Sequence, residues 1–264
     1  MQSRLPQAQR DAIARQDVPF LAAGLIPGNP RSFEAHLRHA AGLLRDRQTS
    51  ASPSVRLVRH VTELFERSIP ESTRAQIACA SGCSFCCHQP VRVSPAEVFF
   101  LARHIAERPD AMTAVREAAA LLSGRSANAP KVAWLRCPLL DPGGNCSVYA
   151  ARPLGCHTHV SVDVNDCRNA YPQPGDAVVR EPVLYNDMRS SCRMILQASL
   201  RLNGLPDTHY ELNAALQIAL DTENAEKRWL RGENIFAALP EVSPNKPEVE
   251  RVLALMAERV GPTL

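Results

Sequence analysis

The chain has 264 residues, enough for one large domain or a core domain with helical extensions, and its hydrophobic share of 45% is that of a globular protein that buries a core. A formal net charge of +3 argues against a dedicated nucleic-acid binder, which would usually show a strong basic stripe. No run of about 20 apolar residues reads as a membrane span, and Met1 to Arg15 is polar, without the apolar run of a secretory leader. No membrane and a cytoplasmic location are therefore expected. Disulfides are disfavoured there, so the nine cysteines are expected to be metal ligands or redox groups.

Residues 1–78 read as an N-terminal helical region. Ser32 is placed to cap a helix running to about Gln48. A second helix, from about Pro53 to Arg67, puts Val55, Val58, Val61, Leu64 and Phe65 on one face, and Ile69-Pro70 ends it. Residues 79–92 form a cysteine-rich loop. Ser94-Pro95-Ala96-Glu97 then opens a helix, with Ser94 as cap, Pro95 at the first helical position and Glu97 three residues after the cap. Val98, Leu101, Ala102 and Ile105 make its apolar side. Another helix is expected from Asp110 to Leu122, and 123–130 is a linker.

Residues 131–182 hold Pro138, Pro142, Gly143, Gly144, Pro153, Gly155, Pro172, Pro174 and Gly175, a density that favours turns. Such a stretch needs something other than a backbone ladder to hold it, and a bound metal would do so. The helical pattern returns in 183–264: Met188 to Leu202, Tyr210 to Trp229, and a last helix from Pro247 carrying Val249, Val252, Leu253, Met256 and Val260. The expected fold is mostly α, with helical flanks (1–78 and 183–264) around an irregular, loop-rich cysteine-cluster centre (79–182).

All nine cysteines lie between Cys79 and Cys192. The first cluster is Cys79, Cys83, Cys86 and Cys87. Cys83 and Cys86 are spaced to turn two thiolates onto one metal, and Gly82 gives that loop its backbone freedom. The side chains of the adjacent Cys86 and Cys87 are expected to diverge, so they would serve two metals, or one would ligate while the other packs. The second cluster is Cys137, Cys146, Cys156 and Cys167. Eight thiols suffice for two closed four-coordinate sites, or for one polynuclear centre with spare thiols, and the spacing does not pair them. Cys192 falls in a predicted helix and reads as a packed thiol.

Arg152, His157 and His159 are the expected cofactor-side residues. The guanidinium offsets the negative charge of a thiolate-bound metal. The two imidazoles, like His88, read as hydrogen-bonding neighbours and proton handlers rather than direct ligands. On an extended segment His157 and His159 would face one way. Pro153 fixes the turn, Tyr149 is expected to shield the site from water, and Asp163 and Asp166 read as carboxylate ligands or helix caps, with caps favoured. Trp134 and Trp229 read as core or interface residues.

In these motifs the chain resembles the YkgJ-type cysteine-cluster family. The likeness lies in CxxxCxxCC from Cys79 to Cys87, CP-x-L from Cys137 to Leu140, G-x-C-x-x-Y at Gly144, Cys146 and Tyr149, RPxxC from Arg152 to Cys156, and the later Cys167. One residue more separates Cys79 from Cys83 than in the family's usual CxxCxxCC. The resemblance implies zinc or iron chelation by the eight cysteines. Flagellin lysine methylases are similar in cysteine pattern, which implies cluster-dependent methyl transfer as one role. The loop from Cys79 to Cys86, with Phe85 before the third cysteine, also looks like the cluster loop of radical S-adenosylmethionine enzymes, but no strand–helix alternation follows to build their barrel. A single CxxC weighs against a plain zinc ribbon, and iron–sulfur clusters accept varied spacings. Three functions are thus set against one another: an iron–sulfur redox or methyl-transfer enzyme, a structural Zn2+ module presenting its helices to a protein partner, and an iron- or zinc-handling protein.

Overall fold

The computed structural model describes residues 30–46, 50–122, 135–171 and 177–242, together with 250, 251 and 254. It is mostly α, as the sequence leads one to expect. Among the described residues there are ten α-helices, and the one sheet is a pair of two-residue strands. None of these helices is long and apolar enough to cross a membrane. The chain divides into two compact units, the first containing 30–46, 50–76 and 182–204, the second 77–122, 135–171, 177–181 and 205–242.

The first unit is built from α1 (Pro30–Arg45), α2 (Pro53–Ser68), the short α3 (Glu71–Arg74) and α8 (Val183–Leu202). The three long helices pack pairwise on one another. Leu37, Leu57, Val61, Met188 and Ile195 are among the side chains sealed between them, and the Phe65 and Tyr185 rings meet edge to face at 5.2 Å. Ser52 caps α2 through the Val55 N–H. Two expectations shift. Ser32 lies inside the first turn of α1 rather than at its cap, because the helix begins at Pro30. On α2, Leu57 is buried while Val55 is only partly covered. Cys192 is sealed in α8, fully buried.

His36 and His39 on α1 meet His60 on α2, with ring centroids at 5.7 and 4.5 Å from His60. Burial first, then the charges of His39, His36 and Arg67, lower the His60 pKa from 6.5 to about 4. The unfolded chain therefore takes up this proton near pH 6.5, and the folded chain only near pH 4. Stability tied to the neutral ring is present above pH 6.5 and lost as the pH falls toward 4. The ring is partly exposed, so the loss is discounted to about 1 kcal/mol. Urea melts of the native protein and of His60→Phe between pH 7 and pH 4 check this, the variant being expected to lose less stability across that range; parallel curves would remove His60 as the source.

The second unit contains α4 (Pro95–Ile105), α5 (Pro109–Leu122), α6 (Leu154–Thr158), α7 (Val164–Ala170), α9 (Leu212–Asp221) and α10 (Ala225–Trp229). Ser94 and Glu97 form the expected capping box on α4. Eight successive residues, Pro95 to Ala102, are buried, so α4 is enclosed on all sides, with α5 and α9 packed against one another and against it. Strand β1 (Arg92–Val93) pairs antiparallel with β2 (Tyr210–Glu211). The helix expected from Tyr210 to Trp229 is therefore divided. Its first two residues are strand, and Asn224 in the left-handed region (φ 52°) separates α9 from α10. Trp229 is buried against Phe99 and donates its indole N–H to the Pro206 carbonyl at 3.0 Å. Trp134, the 123–130 linker and most of the helix expected from Pro247 lie outside the described residues.

Candidate metal centre

Four short segments of the second unit carry the eight clustered thiols. In the first, Gly82 turns the chain at φ 81°, the Cys83 N–H donates to the Ala80 carbonyl, and a 3₁₀ turn over Phe85–His88 carries Cys86 and Cys87. The second is a tight hairpin. Leu140 bridges Cys146, and the Asp141 carboxylate accepts the Asn145 N–H at 2.8 Å. Gly144, also at φ 81°, sits against Gly82, where an added Cβ would come 3.5 Å from the Gly82 carbonyl oxygen. The two loops are joined by backbone: the Cys137 N–H donates to the Cys87 carbonyl at 2.8 Å.

The third segment is the Arg152-Pro153 turn leading into α6, which holds Cys156. Its position is set from α4. Glu97 is 4% exposed; its Oε2 accepts the Ser94 N–H at 2.8 Å and the Ser94 hydroxyl at 2.7 Å, while Oε1 accepts the Leu154 N–H at 2.8 Å. One buried carboxylate thus ties the start of α4 to the start of α6. The fourth segment is α7, capped by Asp163 through the Asn165 N–H and carrying Cys167. Asp166, expected as a cap, instead pairs with Arg180 at 2.8 Å.

Seven of the eight thiols line one cavity of about 580 Å³. Leu101, Leu139, Leu140 and Leu212 supply much of its apolar wall, and Arg152 and His159 also face it. Cys167 is the exception. It is 6% exposed and packs with Ala170 and Tyr171, against Phe85 and Cys86. None of the nine cysteines forms a disulfide. Among the described residues no three Cys, His, Asp or Glu side chains are gathered as a ready single-ion site. A tetrahedral zinc draws its thiolates to about 3.8 Å of one another, whereas these thiols surround a space.

Cys86 and Cys87 do not diverge. The 3₁₀ turn brings their side chains into a hydrogen bond. That bond, with the charges of Arg152 and Arg136, outweighs burial and lowers Cys87 to about 7, while the same bond and burial push Cys86 up. Burial raises Cys137 to about 11 and also pushes up Cys79, Cys146, Cys156 and Cys167. Metal binding would displace those protons.

The Arg152 guanidinium lies near enough to favour the ionised form of Cys79, Cys87, Cys146 and Cys156. Its guanidinium lies 3.7 Å over the Tyr149 ring and reaches His157 Nδ1 at 3.5 Å. Tyr149 is 65% exposed, so it backs Arg152 rather than shielding the site. His157 and His159 are not on an extended segment. His157 is in α6 and His159 ends it. His159 Nε2 lies 2.6 Å from the Tyr171 hydroxyl, and Nδ1 lies at an ion-pair distance of 2.8 Å from Glu181 Oε1 without hydrogen-bond geometry. His88 Nδ1 faces its own turn's carbonyls. Sequence reasoning missed Tyr171, Glu181 and the third bond of Glu97, since no local spacing marks them.

The donor set fits a soft metal: seven uncombined thiols face one cavity, with a guanidinium beside them. Residues 78–192 match the family model CxxCxxCC, described as "Putative zinc- or iron-chelating domain". No curated protein gives a match, and no solved structure does.

Proposed function

We propose, from the match of residues 78–192 to the family model described as "Putative zinc- or iron-chelating domain", that the eight clustered cysteines ligate iron–sulfur centres and that the protein is a cluster-dependent enzyme acting on a small organic substrate. The observation that carries this reading is the cavity. Seven thiols share about 580 Å³ with a leucine-rich wall, a volume within the range of small-molecule pockets. A closed structural zinc site fills its own interior and keeps no open position. The wide placement of the thiols around a space suits a polynuclear centre better than one ion.

An iron–sulfur centre supplies electron transfer or an open iron for substrate. The chain's own residues do the rest. Arg152 offsets the thiolate charge, and the leucine wall offers an apolar face to substrate. The Tyr171 hydroxyl lies 2.6 Å from His159 Nε2, and this pair is set to move a proton at the cavity wall.

Purification without oxygen tests the proposal. The expected protein is brown, with broad visible absorption, iron and acid-labile sulfide in comparable amounts. A colourless protein carrying only zinc would overturn the iron–sulfur assignment in favour of a structural zinc module.

A further inference from the structure

We infer that the eight thiols divide into two sets of four, each holding its own centre: Cys79, Cys83, Cys86 and Cys167 in one, and Cys87, Cys137, Cys146 and Cys156 in the other. The division rests on the reading that these thiols bind metal, and it assigns the pairing that spacing leaves open.

Ser161 knits the first set together. Its backbone N–H donates to the Cys79 sulfur at 3.4 Å, and its side chain is hydrogen-bonded to Cys167. Cys86 packs against the cluster of Cys167, Ala170 and Tyr171. The turn closed by the Cys83 N–H on Ala80 folds Cys83 back beside Cys79. The thiols whose charge reaches Cys167 are Cys79 and Cys83; Cys86, hydrogen-bonded to Cys87 and also reached by Cys156, stands at the boundary and enters this set through its packing on the Cys167 cluster.

Backbone joins the second set. The Cys137 N–H bonds the Cys87 carbonyl, and the Leu140–Cys146 bridge folds Cys146 back over the start of the same loop. Cys156 arrives from α6, and the thiols whose charge reaches it most are Cys137, Cys87 and Cys146. Cys137 in turn feels Cys87 and Cys146. Each set therefore has four sulfurs, the number that closes a tetrahedral zinc site or a cubane cluster. The boundary falls between the adjacent Cys86 and Cys87, so the two centres are neighbours. All four thiols of the second set line the cavity, whereas Cys167 of the first is buried outside it.

The test is the additivity of metal loss in the full-length protein. Cys137→Ser and Cys167→Ser should each remove about half of the bound metal. The pair Cys137→Ser with Cys146→Ser, within one set, should remove no more than either alone. The pair Cys137→Ser with Cys167→Ser, across sets, should remove nearly all. A within-set pair that strips everything, or a cross-set pair that leaves half, overturns the division. Where a variant fails to fold, by circular dichroism, the native protein gives the same answer. Alkylation with iodoacetamide during slow chelation, read by mass spectrometry, should expose the thiols in two groups of four, and a different grouping overturns the assignment. The pattern is read in whichever metal the native protein holds. Zinc in place of iron and sulfide therefore defeats the cluster assignment while leaving the division under test, and a wrong pattern in an iron–sulfur protein defeats the division alone.

Discussion

Replacing Glu97 by alanine is expected to destabilise the protein by about 3–5 kcal/mol and to release metal from the Cys156 side of the site. The carboxylate is buried and accepts three hydrogen bonds, two from Ser94 and one from the Leu154 N–H. Removing it strands buried N–H donors, each costing about 1–3 kcal/mol, on top of the lost cap. The Leu154 bond also fixes where α6 begins, and Cys156 lies two residues further on. Ser94→Ala separates the two effects. It removes the cap hydroxyl and should cost about 1 kcal/mol with full metal retention. Glu97→Gln keeps an acceptor for Leu154 and should fall between. Urea denaturation with metal analysis of the same samples decides the matter. An alanine variant with native metal content would mean that Glu97 is only a helix cap.

The same carboxylate marks how far sequence reasoning reached. Its bonds to Ser94 are three residues long, and the capping box is legible because it is local. Its bond to Leu154 spans 57 residues and leaves no trace in spacing. The long helices were readable from 3.6-residue periodicity because each buries one broad face. The pairing of Arg92–Val93 with Tyr210–Glu211 was not, since two-residue strands carry no alternation to detect. The break at Asn224 was hidden too, because apolar residues continue at helical spacing across it. In the site, the clustering of cysteines was plain, and so was the value of a cation at Arg152. The cavity was not, because a void belongs to no residue. Nor was the fate of His159: its partners Tyr171 and Glu181 lie 12 and 22 residues onward in turn-rich sequence. Adjacent Cys86 and Cys87 misled, since divergence is the rule in extended chain and fails in a 3₁₀ turn.

Metal removal should have the largest effect. A thiolate-bound structural metal contributes on the order of 10 kcal/mol of folding free energy, comparable with the whole stability of a typical domain, about 5–15 kcal/mol. Apart from the Glu97 tie to α6, the loops around the cysteines are held by isolated bonds such as Cys137 to Cys87, Ala78 to Ser161, Ser147 to Leu139 and the Asp141–Asn145 turn. Each contributes a net of only about 1 kcal/mol, and several thiols would sit protonated in buried positions. The first unit stands differently, since α1, α2 and α8 bury their apolar faces on one another and use none of the eight clustered thiols. Anaerobic chelation should therefore open 79–88 and 135–167 to trypsin while 53–68 and 183–202 stay protected. Cys156→Ala should move the protein part of the way, because it leaves the ligands of the first set in place. Fragment masses from limited proteolysis give the answer directly. If stripped and loaded protein are cut at the same rate and at the same bonds, the loops hold themselves, and the thiols are not what fixes their shape.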